Sequence, residues 1–230
     1  PMAVFEDPAR GSALERALDK ALAVPASRIE ERIARMRRER PGADTAELVE
    51  LAASRLRTEA GLSSGAVGAS AALPAMGTGT ATALTLGQTA VFLASAVTYV
   101  LTVAELQGLR VIDTDRRRAL VMSALLGREG SEAVQGSLGL STLFWAAQHL
   151  ARMPLPTVKT INKKLARRMA RRMATRSGAL AVGRLIPFGI GAAIGWAGGR
   201  ALADQVIEGA RSALGPTGQL PGGAVEVIET

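Results

Sequence analysis

The chain has 230 residues, a formal net charge of +8 and a sequence pI near 11.0. That length makes one large domain or two small ones, with room for a sizeable core, and the excess charge favours anionic partners without choosing among them. There is no cysteine, which excludes disulfides, thiolate zinc sites and cysteine nucleophiles.

In chain order, "PMAVFEDPARGS" has no basic region followed by an apolar run, so no signal peptide is expected. "ALERALDKALAV" places apolar residues three and four apart up to Pro25, the spacing of a helix face. Ser27 with Glu30 predicts a capping box opening "SRIEERIARMRRER", which Pro41-Gly42 stops. Asp44 and Glu47 repeat the signal ahead of "AELVELAASRLRTEA". Asp113 is placed to cap "DTDRRRALVMSALLG", with Gly127 as its stop. No run shows strict period-two alternation, so the expected class is all-α. No Pro/Ser-rich linker interrupts the middle. The expectation is therefore one multi-helix domain over residues 1–214, with a flexible Gly/Pro-rich acidic tail over 215–230.

Residues 60 to 104 contain no charged side chain. A membrane hairpin needs two arms of about 20 residues each. Pro74 and Gly77 instead leave a short first arm, "GLSSGAVGASAAL", and a long second one, "TATALTLGQTAVFLASAVTYVLTVA". Arginines flank both ends: Arg55 and Arg57 before, Arg110 and Arg116 to Arg118 after. A positive-inside count keeps both ends on the cytoplasmic side. The expected state is a helical hairpin buried at the centre of the domain; the alternatives are a shallow or re-entrant membrane hairpin and, more remotely, a full span.

Small residues recur every fourth position, at Gly61 and Gly65, at Ser64, Gly68 and Ala72, and at Gly191, Gly195 and Gly199. That ladder lets helix backbones approach closely, and it reads as a glycine zipper. Two motifs compete with packing. "GLSSG" matches a nucleophile elbow, but no strand precedes it and no partnered His is in view. "GIGAAIG" resembles a dinucleotide loop, but Pro187 stands where a buried strand should run. His149 is the only histidine and reads as an ordinary helix residue. With no second His and no Cys, no His-based metal site can be built, and no metal, cofactor or catalytic residue is expected.

"NKKLARRMARRMATRSG", residues 162 to 178, carries seven basic side chains and no acidic one. On a helix, Val158, Ile161, Leu165, Met169 and Met173 share an arc of about 120°, the width of a docking stripe. Lys159, Lys163, Lys164, Arg167, Arg168 and Arg171 cover the rest, and Arg172 falls inside the apolar arc. Such a helix is either docked with a solvated face or applied to an anionic membrane. Nucleic acid is disfavoured, because aromatics make up only 3% of the chain and no helix-turn-helix or zinc pattern accompanies the charge.

"AGLSSGAVGASAALPAMGTG", "DTDRRRALVMSALLG" and "TINKKLARRMARRMATRSGALAVGRLIPFGIGAAIGWAGG" resemble, in order and spacing, the EcsC protein family over roughly residues 55 to 211. The most specific pieces are the Ala-Gly opening of the hairpin, Ile161-Asn162-Lys163, Gly183-Arg184 and Ile186-Pro187. The resemblance implies an intracellular bacterial helical protein whose family is named for a reading frame beside an ABC transporter. It carries no catalytic residues. Where that family reads something like "FRLVTK", this chain has "ARRMARRMATR", so the doubled arginines are an elaboration of its own.

The functional expectation is a non-enzymatic protein, peripheral to the inner face of the plasma membrane. It would contact anionic lipid through Lys159, Lys163, Lys164, Arg167, Arg168 and Arg171. A membrane protein or ABC-transporter component is a further expected partner. The rivals are a soluble scaffold for an acidic protein and, more remotely, a lipid hydrolase using Ser63 or Ser64.

Overall fold

Asp44 and Glu47 exchange backbone bonds at 2.9 and 2.8 Å, closing the capping box that starts the third helix. Asp113 accepts from the Arg116 amide at 2.9 Å and starts the fifth. The second helix departs from expectation. It begins at Ala26 behind Pro25 with no side-chain cap, and Glu30 pairs with Arg110 instead. Gly42 (φ 83°), in the turn after the second helix, and Gly127 (φ 70°), between the fifth and sixth, take a positive φ that glycine adopts without strain.

A computed structural model describes residues 8–70, 78–139, 144–182, 190–217 and 226–228, with side chains over 15–64, 87–139, 144–172 and 196–217. Within them the order is α1 (Pro8–Leu22), α2 (Ala26–Glu39), α3 (Thr45–Ser70), α4 (Thr78–Leu106), β1 (Leu109–Val111), α5 (Thr114–Leu125), α6 (Arg128–Leu138), α7 (Trp145–His149), α8 (Leu155–Val182), α9 (Ile190–Leu214) and β2 (Glu226–Ile228). The chain is all-α around one core. β1 and β2 form a two-stranded parallel ladder, Leu109 opposite Glu226 and Val111 opposite Ile228. Three residues of the acidic tail, 226–228, are thus paired with β1.

The core gathers one face of each long helix. Leu48, Ala52, Leu56 and Ala60 come from α3, Ala96, Val97, Val100 and Ala104 from α4, and Ala203, Val206, Ile207 and Ala210 from α9. α5 is buried nearly all round, from Ala119 to Leu125. Gly87–Leu106 is long and apolar enough to cross a membrane, at mean hydropathy 1.7. Here its second half is the central core helix, with Thr98 and Thr102 donating to the Ala94 and Thr98 carbonyls at 2.8 and 2.6 Å.

α3 and α4 pack against each other, the expected glycine-rich turn between them lies outside the described residues, and two features differ from the sequence reading. The charged segment "AELVELAASRLRTEA" and the glycine-rich first arm are one continuous helix rather than two pieces. The glycine face of that helix also meets α9 rather than α4. A Cβ on Gly61 would lie 2.8 Å from Trp196 Nε1, and one on Gly199 would fall on the Ala60 carbonyl and reach Ser64 Oγ. Gly61 of one sequence ladder and Gly199 of the other thus lie where α3 and α9 cross. The surroundings of Gly65, Gly68, Gly191 and Gly195 lie outside the described side chains, as do the turn at Pro74–Gly77 and the segment of Gly183 to Pro187. Below the glycine crossing, Arg57 pairs with Asp204 at 2.7 Å and Arg211 with Glu50 at 3.1 Å, which makes the two helices antiparallel.

Candidate anion-binding surface

Three arginines, two of them read from sequence as flanking charge and one as falling inside an apolar arc, are internal ties. A helix ends with carbonyls that its own amides cannot reach, and a guanidinium offers five donors in a planar fork. Arg117 donates to the carbonyls of Val111 (2.6 Å), Leu22 (3.2 Å) and Val24 (2.7 Å), closing the end of α1. Arg116 reaches the Leu150 and Met153 carbonyls at 3.2 and 2.9 Å, after α7. Arg172 donates to the Leu126 carbonyl at 3.0 Å and to Gln205 at 2.7 Å, tying the end of α5 to α9. Arg118 pairs with Asp19. Burial lowers the Arg117 pKa, partly countered by Glu105, and burial pushes the Glu105 carboxyl up, partly countered by Arg117. Arg116 to Arg118 are therefore structural groups, not a topological flank for the apolar run.

With these assigned, α8 can be read side chain by side chain. Val158, Ile161 and Leu165 are buried and Met169 packs against the core, so the predicted apolar arc docks; Met173 lies outside the described side chains. Asn162 is buried in the same arc and donates to the Asp115 carbonyl at 2.9 Å. Arg172 sits in that arc because its charge has the Leu126 carbonyl and Gln205 to meet.

The six candidate lipid-binding cations divide. Lys164 donates to Ser137 Oγ at 2.8 Å and Arg168 to the Glu129 carbonyl at 3.1 Å, both on α6. These two flank the docked face and bond to α6, Lys164 while still exposed. Lys159, Lys163, Arg167 and Arg171 are exposed, and none has a hydrogen bond or ion pair with another described residue. They follow at four-residue intervals, so they form one stripe about 18 Å long that drifts through about 120°.

The other candidates are placed as follows. "GLSSG" lies inside α3, not after a strand, and Ser63 donates to the Ala60 carbonyl of its own helix at 3.3 Å. His149 ends α7. Among the described residues no group of acidic side chains and histidine could hold a metal ion. Sequence reasoning missed Trp196 and Arg200. The Arg200 guanidinium lies 4.8 Å from the Trp196 ring centroid, a cation–π contact. Trp196 is 45% exposed and Leu62, on the neighbouring α3, 64%. The available signal was a lone tryptophan followed four residues later by arginine at the edge of an uncharged segment.

These features define an all-α protein with one docked helix whose outer face is a ladder of unpaired cations. No protein-family model, no curated protein and no solved structure matches the chain.

Proposed function

We propose that the protein is a non-enzymatic, peripheral component of the cytoplasmic face of the membrane, held to anionic lipid by Lys159, Lys163, Arg167 and Arg171. The carrying observation is that these four cations stay exposed and unpaired, on one side of one helix, in a chain that pairs or buries many of its arginines. A basic residue near an anionic surface contributes about 1 kcal/mol, so four give a binding constant that a vesicle assay reads easily. Kinship with the EcsC family belongs to this proposal and rests on the quoted sequence segments.

The test is co-flotation with vesicles of phosphatidylserine in phosphatidylcholine, beside pure phosphatidylcholine, at low and high salt. Wild type floats with the acidic vesicles at low salt and is released as screening shortens the Debye length below about 10 Å. The triple variant Lys163→Glu/Arg167→Glu/Arg171→Glu loses binding by more than 100-fold with its helical spectrum intact. Equal flotation of both proteins would leave the stripe as a solvated helix face. Capture by an acidic polypeptide with no affinity for acidic vesicles would favour the scaffold reading.

A further inference from the structure

The direction of the helices fixes which end of the molecule the cation stripe leads to. Asn162 meets the Asp115 carbonyl near the start of α5, and Arg172 meets the Leu126 carbonyl at its end, so α8 runs parallel to α5. Gln107, just before β1, donates to the carbonyl of Gly215, beyond α9, while Gln205 donates to the Leu125 carbonyl, so α9 runs antiparallel to α5. Beyond the contact of Arg172 with Gln205, the last turns of α8 and the first turns of α9 therefore project the same way. The end of α3 goes with them, because Gly61 lies under Trp196.

At that end, charge disappears from three of the four helices, and α8 alone keeps it, as Arg176. Residues 60–70 of α3, 78–104 of α4 and 190–199 of α9 carry no charged side chain. Leu62, Trp196 and, on the first half of α4, Val91 are the three most exposed large apolar side chains among the described residues, at 64%, 45% and 55%. The fourth, Ile112, follows β1 in the region where Gln107 meets Gly215, away from this end. Tryptophan with an apolar body and a polar N–H favours the boundary between headgroups and hydrocarbon. Arg200, stacked on its face, sits one turn further from the end, where a headgroup phosphate would lie.

We infer that the protein docks on the anionic bilayer end-on, with Leu62 and Trp196 entering the headgroup boundary and Arg200 and Arg171 forming the charged collar behind them. This rests on the membrane reading above and specifies its orientation. The occupant is a lipid surface because positive charge outweighs negative behind the apolar end, Arg200 and the exposed cations of α8 against the single exposed Glu59 at the edge of the uncharged run of α3, and that excess complements an acidic headgroup layer. End-on docking makes the four stripe cations unequal. Arg171, beside the Arg172–Gln205 contact, is the nearest of the four to the docked end, and Lys159 stands about 18 Å further along the helix.

Trp145 and Trp196 are the two tryptophans, and Trp145 is fully buried with its Nε1 unbonded. Trp145→Phe therefore loses no hydrogen bond and leaves Trp196 as the sole indole reporter. In that background, phosphatidylserine-containing vesicles shift the Trp196 emission to the blue, and bromine on the upper acyl chain quenches it. Arg171→Glu weakens binding at least fivefold, and Lys159→Glu by a smaller factor. Leu62→Glu, at an exposed site, weakens quenching without changing the far-UV spectrum. Vesicle binding with unchanged Trp196 emission and equal effects at Lys159 and Arg171 would overturn end-on docking and leave the membrane reading standing. Absence of binding to acidic vesicles would remove both. A blue shift that grows with protein concentration in the absence of lipid would overturn the inference in favour of self-association.

Discussion

Gly198 and Gly199 are neighbours in α9 with opposite surroundings. A Cβ on Gly198 meets nothing within 4 Å, whereas one on Gly199 would collide with the Ala60 backbone, its carbonyl carbon at 2.8 Å. Backbone cannot yield as a side chain can, so Gly199→Ala forces α3 and α9 apart and lowers stability by about 1–3 kcal/mol, the usual cost of overpacking. Gly198→Ala raises stability by up to about 1 kcal/mol through helix propensity. Thermal unfolding of the two variants side by side decides the matter, and an equal response would place the seam elsewhere. Tyr99 is the only tyrosine and lies buried, which pushes its phenol up to about 12. The folded protein keeps this proton while the unfolded chain releases it near the ordinary value of 10.0. Stability from this group is therefore full below pH 10 and falls as pH rises toward 12. Phenolate absorbance follows Tyr99 alone; a midpoint near 10 in the folded protein would contradict its burial.

At the scale of single helices, the recurring device is an arginine from one element closing the carbonyl end of another. Arg117→Met would leave the Leu22, Val24 and Val111 carbonyls without their donor and should cost about 1–3 kcal/mol in urea unfolding. Arg117→Lys should not restore it, because one ammonium cannot span three carbonyls as a planar fork does. An Arg117→Met variant as stable as wild type would show that water replaces the guanidinium. These ties were invisible in the sequence for a physical reason. Helix period and caps are local signals, so Asp44–Glu47, Asp113 and the apolar arc of α8 were legible. Which cation meets which carbonyl depends on helices brought together across long separations, such as the 95 residues between Arg117 and Leu22. The same limit explains why Lys164 and Arg168 were grouped with the free cations: only the position of α6 separates them. The missing cap at Ser27 has a like cause, since Glu30 is taken by Arg110.

Across the whole molecule, the all-α class was legible because apolar spacing repeats through most of the chain, and the glycine ladders marked a seam. The partner across that seam was not legible, because every small-residue ladder fits every other. The pairing of 226–228 with β1 escaped because three residues carry no periodicity. The α3–α9 seam joins residues 147 apart in the chain, as at Arg57 and Asp204. Such distant pairing has a consequence during synthesis. At about 5–20 residues per second, the groove of α3 emerges roughly 7–30 seconds before the helix that fills it. The α3–α4 hairpin can close early, but the finished structure must wait for its last long helix. Ribosome-bound chains ending before residue 190 should therefore expose the α3 groove to protease, and chains extended well past 217 should protect it.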